Sequence, residues 1–106
     1  MQKISQKHLK WIKSLHQKKN RDLEQCFIVE GIKICDEVMQ DHPDRIKDII
    51  CTNEYIEKIS ANLLAKTFTL SPTELSRIST LKTPNAILLV LNKETKLTFD
   101  SGRKVI

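Results

Sequence analysis

The sequence predicts an α/β fold built on a mostly parallel sheet of about four strands. Apolar runs begin at Phe27 (FIV), Ile46 (IKDIIC), Thr67 (TFTL) and Ala86 (AILLVL), spaced 19, 21 and 19 residues apart. Each gap is long enough for a crossover helix and too long for a hairpin, which favours parallel pairing. FIV and AILLVL lack polar alternation and read as strands buried on both faces, so helices are expected on each side of the sheet. At 106 residues, 40% hydrophobic and 29% charged, the chain has the size and composition of one globular domain with its own core.

The first element is a predicted helix through residues 3–21. With successive residues about 100° apart and Leu9 at zero, Leu9, Ile12, Leu15 and His16 fall between about 240° and 360°. Lys3, Lys7, Lys10, Lys18 and Arg21 fall between about 100° and 180°, on the opposite face. Lys13 and Lys19 lie off that stripe. Trp11 sits at its border, where the ring either packs at the core edge or stacks on a base. This segment carries seven of the 18 basic residues and no acid, whereas residues 22–106 hold 11 bases against 13 acids. The net charge of +5 is thus entirely N-terminal. The stripe is either a solvated face or an electrostatic footprint for a polyanion, with RNA, DNA or an anionic membrane as candidates.

The first strand ends in Glu30-Gly31, one of only two glycines in the chain. A glycine between strand and helix marks a tight turn or a close backbone approach to a ligand. The following helix would present free N–H groups suited to phosphate, although Glu30 competes for that positive end and could simply cap it. Ile32, Cys35, Val38 and Met39 form the apolar stripe of this second helix. Tyr55, Ile56, Ile59 and Leu63 form that of a third, with Asn53 as N-cap. The last helix has the fullest local signals: Ser71 as N-cap, Pro72 at the first position, Glu74 closing a capping box, and Leu70 stapling to Leu75. Lys82-Thr83-Pro84-Asn85 then turns the chain into the last strand.

Other chemistries find little support. The longest apolar run, Ala86 to Leu91, is six residues, too short to span a membrane, and the polar N-terminus does not read as a signal peptide. Cys26, Cys35 and Cys51 are odd in number and lack short paired spacing, which suits small core residues in a reducing cytoplasm. His8 and His16 fall on the core side of the first helix and His42 in an Asp-His-Pro turn. No Cys/His cluster has metal-ligand spacing, and no Gly-rich nucleotide loop or Gly-x-Ser-x-Gly elbow occurs.

The string from Ile4 to Met39 contains KHLKWIKSLHQKKNR, then Phe27-Ile28-Val29-Glu30-Gly31, then an amphipathic helix. It resembles the N-terminal substrate-binding domain of the SpoU (TrmH-like) family of RNA 2′-O-ribose methyltransferases. Leu70-Ser-Pro-Thr-Glu-Leu-Ser-Arg-Ile, Thr83-Pro84 and Ile87-Leu-Leu-Val-Leu91 resemble the end of that domain. The resemblance implies a three-layer α/β/α sandwich similar to ribosomal-protein-type RNA binders, covering residues 1–91. Residues 92–106 would be a linker toward a knotted catalytic domain that binds S-adenosylmethionine and forms a homodimer.

On this reading the chain is the RNA-holding part of a cytoplasmic rRNA or tRNA methyltransferase. Structured RNA is its partner, it holds no cofactor or catalytic residue of its own, and Arg21, Glu30 and Gly31 match the family's RNA-facing motif. Together with Lys3, Lys7, Lys10 and Lys18 they form the expected RNA site. Asn85-Ala86 stands where the family commonly has Gln-Gly, a departure in the loop before the last strand. Alternatives are a free-standing RNA-binding protein of the same fold and a protein-interaction domain of receiver-like topology.

Overall fold

The computed structural model describes residues 3–81 and 86–93. In chain order these form α1 (Gln6–Ser14), α2 (Lys18–Glu24), β1 (Cys26–Glu30), α3 (Ile32–Asp41), a 3-10 turn (Pro43–Arg45) and β2 (Ile46–Thr52). Two further 3-10 segments (Tyr55–Lys58 and Ala61–Lys66), β3 (Thr67–Leu70), α4 (Pro72–Ile78) and β4 (Ile87–Asn92) follow.

The four strands pair in the order β1-β4-β2-β3. Only β2 and β3 are parallel; β4 runs antiparallel to both β1 and β2. The sheet is therefore mixed, which corrects the expectation of a mostly parallel one and removes the receiver-like topology. Helix α4 supplies the physical reason. It starts just beyond Leu70 on the edge strand β3, and the residues at its end, Ser79 and Thr80, bond Glu30 at the end of the opposite edge strand β1. Its seven residues span about 10 Å, comparable to the roughly 14 Å between the sheet's outer strands. The helix thus crosses the sheet along the strands' carboxyl ends instead of returning the chain to the other end. β4 must then enter from the carboxyl side, where Leu88 lies opposite Glu30 and Ile87 opposite Cys51.

Alternate residues of the strands feed two cores. Ile50, Leu88 and Val90 join Ile12 and Leu15 with Leu75 and Ile78 from α4. Ile49, Cys51, Ile87, Leu89 and Leu91 join Cys35 of α3 with Tyr55, Ile59 and Leu63. Because strand side chains alternate with period two, these clusters occupy opposite faces of the sheet. Between Ile46 and Asp48 the pairing with β4 slips by one residue. Lys47 is the extra residue of a bulge, and the slip turns Asp48 toward α1.

Local signals succeed completely in α4. Ser71 Oγ accepts from the Glu74 amide at 3.2 Å while Glu74 Oε1 accepts from the Ser71 amide at 3.1 Å, with Pro72 at the first turn. Leu70 and Leu75 are buried in one cluster, as the staple requires.

The basic segment is not one helix. The amides of Leu15, His16 and Gln17 bond three residues back, tightening and ending α1, and Gln17 is extended before α2 begins. Polar side chains take up the freed carbonyls: Ser14 Oγ donates to Trp11 O at 2.5 Å, and Asn20 Nδ2 donates to Ser14 O at 3.0 Å. Residues 53–66 also depart from expectation, forming 3-10 turns where an α-helix capped by Asn53 is predicted. Asn53, Ile56, Ile59, Ser60 and Asn62 have modest helix propensity, and Ile59 is itself extended. Tyr55, Ile59 and Leu63 are nonetheless buried as the stripe demands. The Lys82–Asn85 turn and residues 94–106 lie outside the described residues, and β4 runs one residue past Leu91, to Asn92.

Candidate functional site

The carboxyl ends of β1, β2 and β3 share one edge of the sheet. Gly31 takes φ 113° and ψ 138° there as it passes from β1 into α3. A Cβ at this position would meet only Ile34 Cγ2, at 3.7 Å. Conformation, not crowding, is therefore what demands glycine. Glu30 does not cap α3, whose N-cap is Gly31 with no side-chain bond. Its carboxylate instead reaches across the edge: Ser79 Oγ donates to Oε1, while the Thr80 amide and hydroxyl donate to Oε2 at 3.2 and 3.0 Å. Glu30 thereby fixes the segment that leaves α4.

Arg21 is joined to the same edge through a path of hydrogen bonds. Its Nη1 donates to Leu15 O at 3.1 Å and His16 O at 2.9 Å, a cation covering the carbonyl end of α1. His16 Nε2 in turn donates to Ile78 O at 2.6 Å, closing the end of α4 one residue before the Glu30 contacts. Arg21, Glu30 and Gly31, which are only residue types at a spacing in the sequence, are thus tied together by His16, Ile78, Ser79 and Thr80. Nothing local in the sequence signals this role for His16 or Ser79, because both act through residues about 50 to 60 positions away.

The lysines divide. Lys7 and Lys10 stand exposed on α1, while Lys3 precedes the helix and is also exposed. Lys18 belongs to α2 and therefore leaves the stripe; its ammonium pairs with Asp22 at 2.8 Å. Lys93 reaches Asp22 as well, at 2.6 Å. Hydrogen bonds from Lys18 and then Lys93 hold the Asp22 carboxyl at about 2, below its ordinary 3.8. Among the described residues Lys3, Lys7 and Lys10 enter no ion pair. Two further cations escape the helical-wheel reading: Lys13, which lies off the stripe, and Arg77 of α4. Both line an open groove of about 120 Å³ between α1 and α4.

Beside this groove, His8 Nε2 donates to the buried Asp48 carboxylate at 2.8 Å, tying α1 to the bulge in β2. The His8 ring meets Phe68 edge-on at 5.2 Å and Trp11 at 5.9 Å, while Lys47 Nζ lies 5.8 Å from the Trp11 centroid. Trp11 is half-buried against the α1 core, which places it at the core edge. The three cysteines are buried and free. Burial pushes the Cys35 thiol up to about 12 and the Cys51 thiol up to about 11, so neither is a nucleophile near neutrality. Among the described residues no group of His, Cys, Asp or Glu could hold a metal ion, and no helix is long and apolar enough to cross a membrane.

Comparison with known proteins accords with this architecture. Residues 6–89 match the MRM3-like substrate binding domain. A structure assigned to the TrmH family of RNA methyltransferases, from Porphyromonas gingivalis, is 28% identical with a TM-score of 0.72 over 86% of this chain and 36% of its own. An AdoMet-bound rRNA methyltransferase from Sinorhizobium meliloti shares the fold at TM-score 0.69 and 21% identity, over 90% of this chain and 38% of its own. An RNA 2′-O ribose methyltransferase aligns at TM-score 0.61 and 16% identity, over 95% of this chain and 40% of its own. Comparison with curated proteins gives no match. The chain spans well under half the length of these solved relatives. The family match covers most of the chain, which therefore belongs to the MRM3-like substrate-binding domain family, similar to the domains of TrmH-like RNA methyltransferases.

Proposed function

We propose that this chain holds structured RNA for an S-adenosylmethionine-dependent 2′-O-ribose methyltransferase acting on rRNA or tRNA. The observation that carries the reading is positive charge without ion-pair partners on α1, beside an edge whose loops are fixed by Glu30. Lys3, Lys7 and Lys10 neutralise phosphates in this scheme, and Lys18 joins them only by giving up its pairing with Asp22. Arg21 orients α1 against α2 with Nη1; among the described residues its Nη2 and Nε bond nothing else, which suits a planar contact to phosphate or a base edge. Gly31 allows the backbone to approach the RNA closely, and Glu30 acts by positioning residues 79 and 80. Helices α1 and α4 on one face and α3 with the 3-10 turns on the other support reading the domain as a three-layer sandwich.

The methyl donor belongs to the whole enzyme in this reading. At the carboxyl edge Glu30 is already bonded to three donors and Gly31 offers a single glycine, an arrangement that does not fit an adenosyl cofactor. A cytoplasmic location and a homodimer formed by the catalytic portion complete the proposal.

The test is the salt dependence of RNA binding by this chain. Contact with four or five phosphates gives a log–log slope of about −3 to −4. A slope near zero between low and physiological salt overturns the reading.

A further inference from the structure

We propose that the groove between α1 and α4 is a second track for the RNA sugar-phosphate backbone, with Lys13 and Arg77 as phosphate contacts alongside Lys10. The groove is bounded by Gln6, Lys10 and Lys13 on one side and by Glu74 and Arg77 on the other, over Leu9 and Ile78. Its three cations, brought together from two helices, form no ion pair among the described residues. The one acid in the groove, Glu74, accepts from the Ser71 amide through Oε1 and pairs with none of them, so its single negative charge leaves the groove with an excess of positive charge. Like charges gathered in a concave site over an apolar floor repel one another and focus a positive potential outward. An anion with several linked charges relieves that repulsion.

The groove also has a direction. Arg77 lies two residues before Ser79, which Glu30 holds at the strand edge, and His16 at the end of α1 bonds Ile78 in the groove's floor. A polymer lying along α1 and α4 would therefore be led to Gly31. Repeating phosphates fit this geometry, and a lone phosphate fits only part of it. The inference rests on the RNA-holding reading above and extends it to residues outside the predicted stripe.

The experiment compares the intact chain, a Lys13→Gln/Arg77→Gln double variant and Lys58→Gln, whose ammonium sits over Tyr55 on the opposite face. RNA affinity is measured against salt for all three, with inorganic phosphate titrated in parallel and folding checked by thermal melting. The double variant is expected to melt like the original and to lose about 1.5 units of log–log slope, one phosphate contact for each charge removed. Lys58→Gln should keep the full slope, and inorganic phosphate should bind the groove far more weakly than RNA. An unchanged slope in the double variant, with steep binding by the intact chain, overturns the groove alone. A flat slope in the intact chain overturns the groove together with the RNA reading, and phosphate binding as tight as that of RNA overturns the polymer track.

Discussion

The two faces of the sheet are equally buried at their centres but are held and finished differently. On the α1/α4 face, apolar packing is supplemented by polar ties: His8 to Asp48, His16 to Ile78, Arg21 to the end of α1, and Glu30 to Ser79 and Thr80. On the opposite face, α3 and the 3-10 turns pack through aliphatic, aromatic and thiol groups and are tied as well, by Lys66 Nζ to the carbonyls of Pro43 and Ile46 and by Thr67 Oγ1 to that of Leu63. The cations without ion-pair partners on α1 and α4 belong to the first face. Both faces use polar ties, so what separates them is charge: α1 carries Lys7, Lys10 and Lys13 and no acid, whereas α3 carries Asp36, Glu37 and Asp41 against Lys33.

The largest expected effect tests whether the α1 face is core at all. Ile12 is fully buried, and Ile12→Ala should destabilise the chain by about 2 to 5 kcal/mol, as Leu89→Ala should on the other face. Urea unfolding measures both, and a cost well under about 1 kcal/mol for Ile12→Ala would show that α1 is only loosely seated.

Gly31→Val comes next. The site has room for a side chain, so its cost of about 1 to 3 kcal/mol would come from forcing a β-branched residue to positive φ. Gly31→Asn should recover little of the loss, because φ 113° with ψ 138° lies outside the left-handed region that asparagine tolerates. Stability equal to the original chain in either variant would mean that the turn relaxes without glycine.

The smallest effect belongs to Asp22, exposed on α2. Its carboxyl titrates lower in the fold than in the unfolded chain, so its pairing stabilises above about 3.8 and is lost as pH falls through about 2. An NMR titration of the Asp22 carboxyl should show the low midpoint, and Lys18→Gln should raise it. A midpoint near 3.8 in the original chain would remove the Lys18 and Lys93 pairing and return Lys18 to the unpaired cations.

What the sequence made legible were the features encoded within a few residues. The capping box of α4, the stripe of α3 except for the exposed Ile32, the burial of Tyr55, Ile59 and Leu63, and positive φ at Gly31 all follow from local propensities. The strand runs were also visible, yet their directions were not: a gap of 19 residues accommodates either direction, and only the bond from Glu30 to Ser79 and Thr80 shows that α4 crosses the sheet. Likewise the charge segregation of residues 3–21 was evident, but the helical wheel assumed a single axis. The break at Leu15 to Gln17 depends on Arg21 and Asn20 folding back, so Lys18 left the stripe and Lys13 gained a neighbour in Arg77. Tertiary bonds of this kind leave no periodic trace.

If the α1/α4 face of the sheet holds RNA, the face covered by α3 and the 3-10 turns should stay free of it. Backbone amide shifts recorded while structured RNA is titrated into the isotopically labelled chain test this most directly. The largest shifts should cluster at Lys7, Lys10 and Lys13, at Arg77 through Thr80, and at Gly31, while Val38, Met39 and residues 55–64 stay in place. Shifts centred on α3 and the 3-10 turns, with α1 and α4 unmoved, would contradict it.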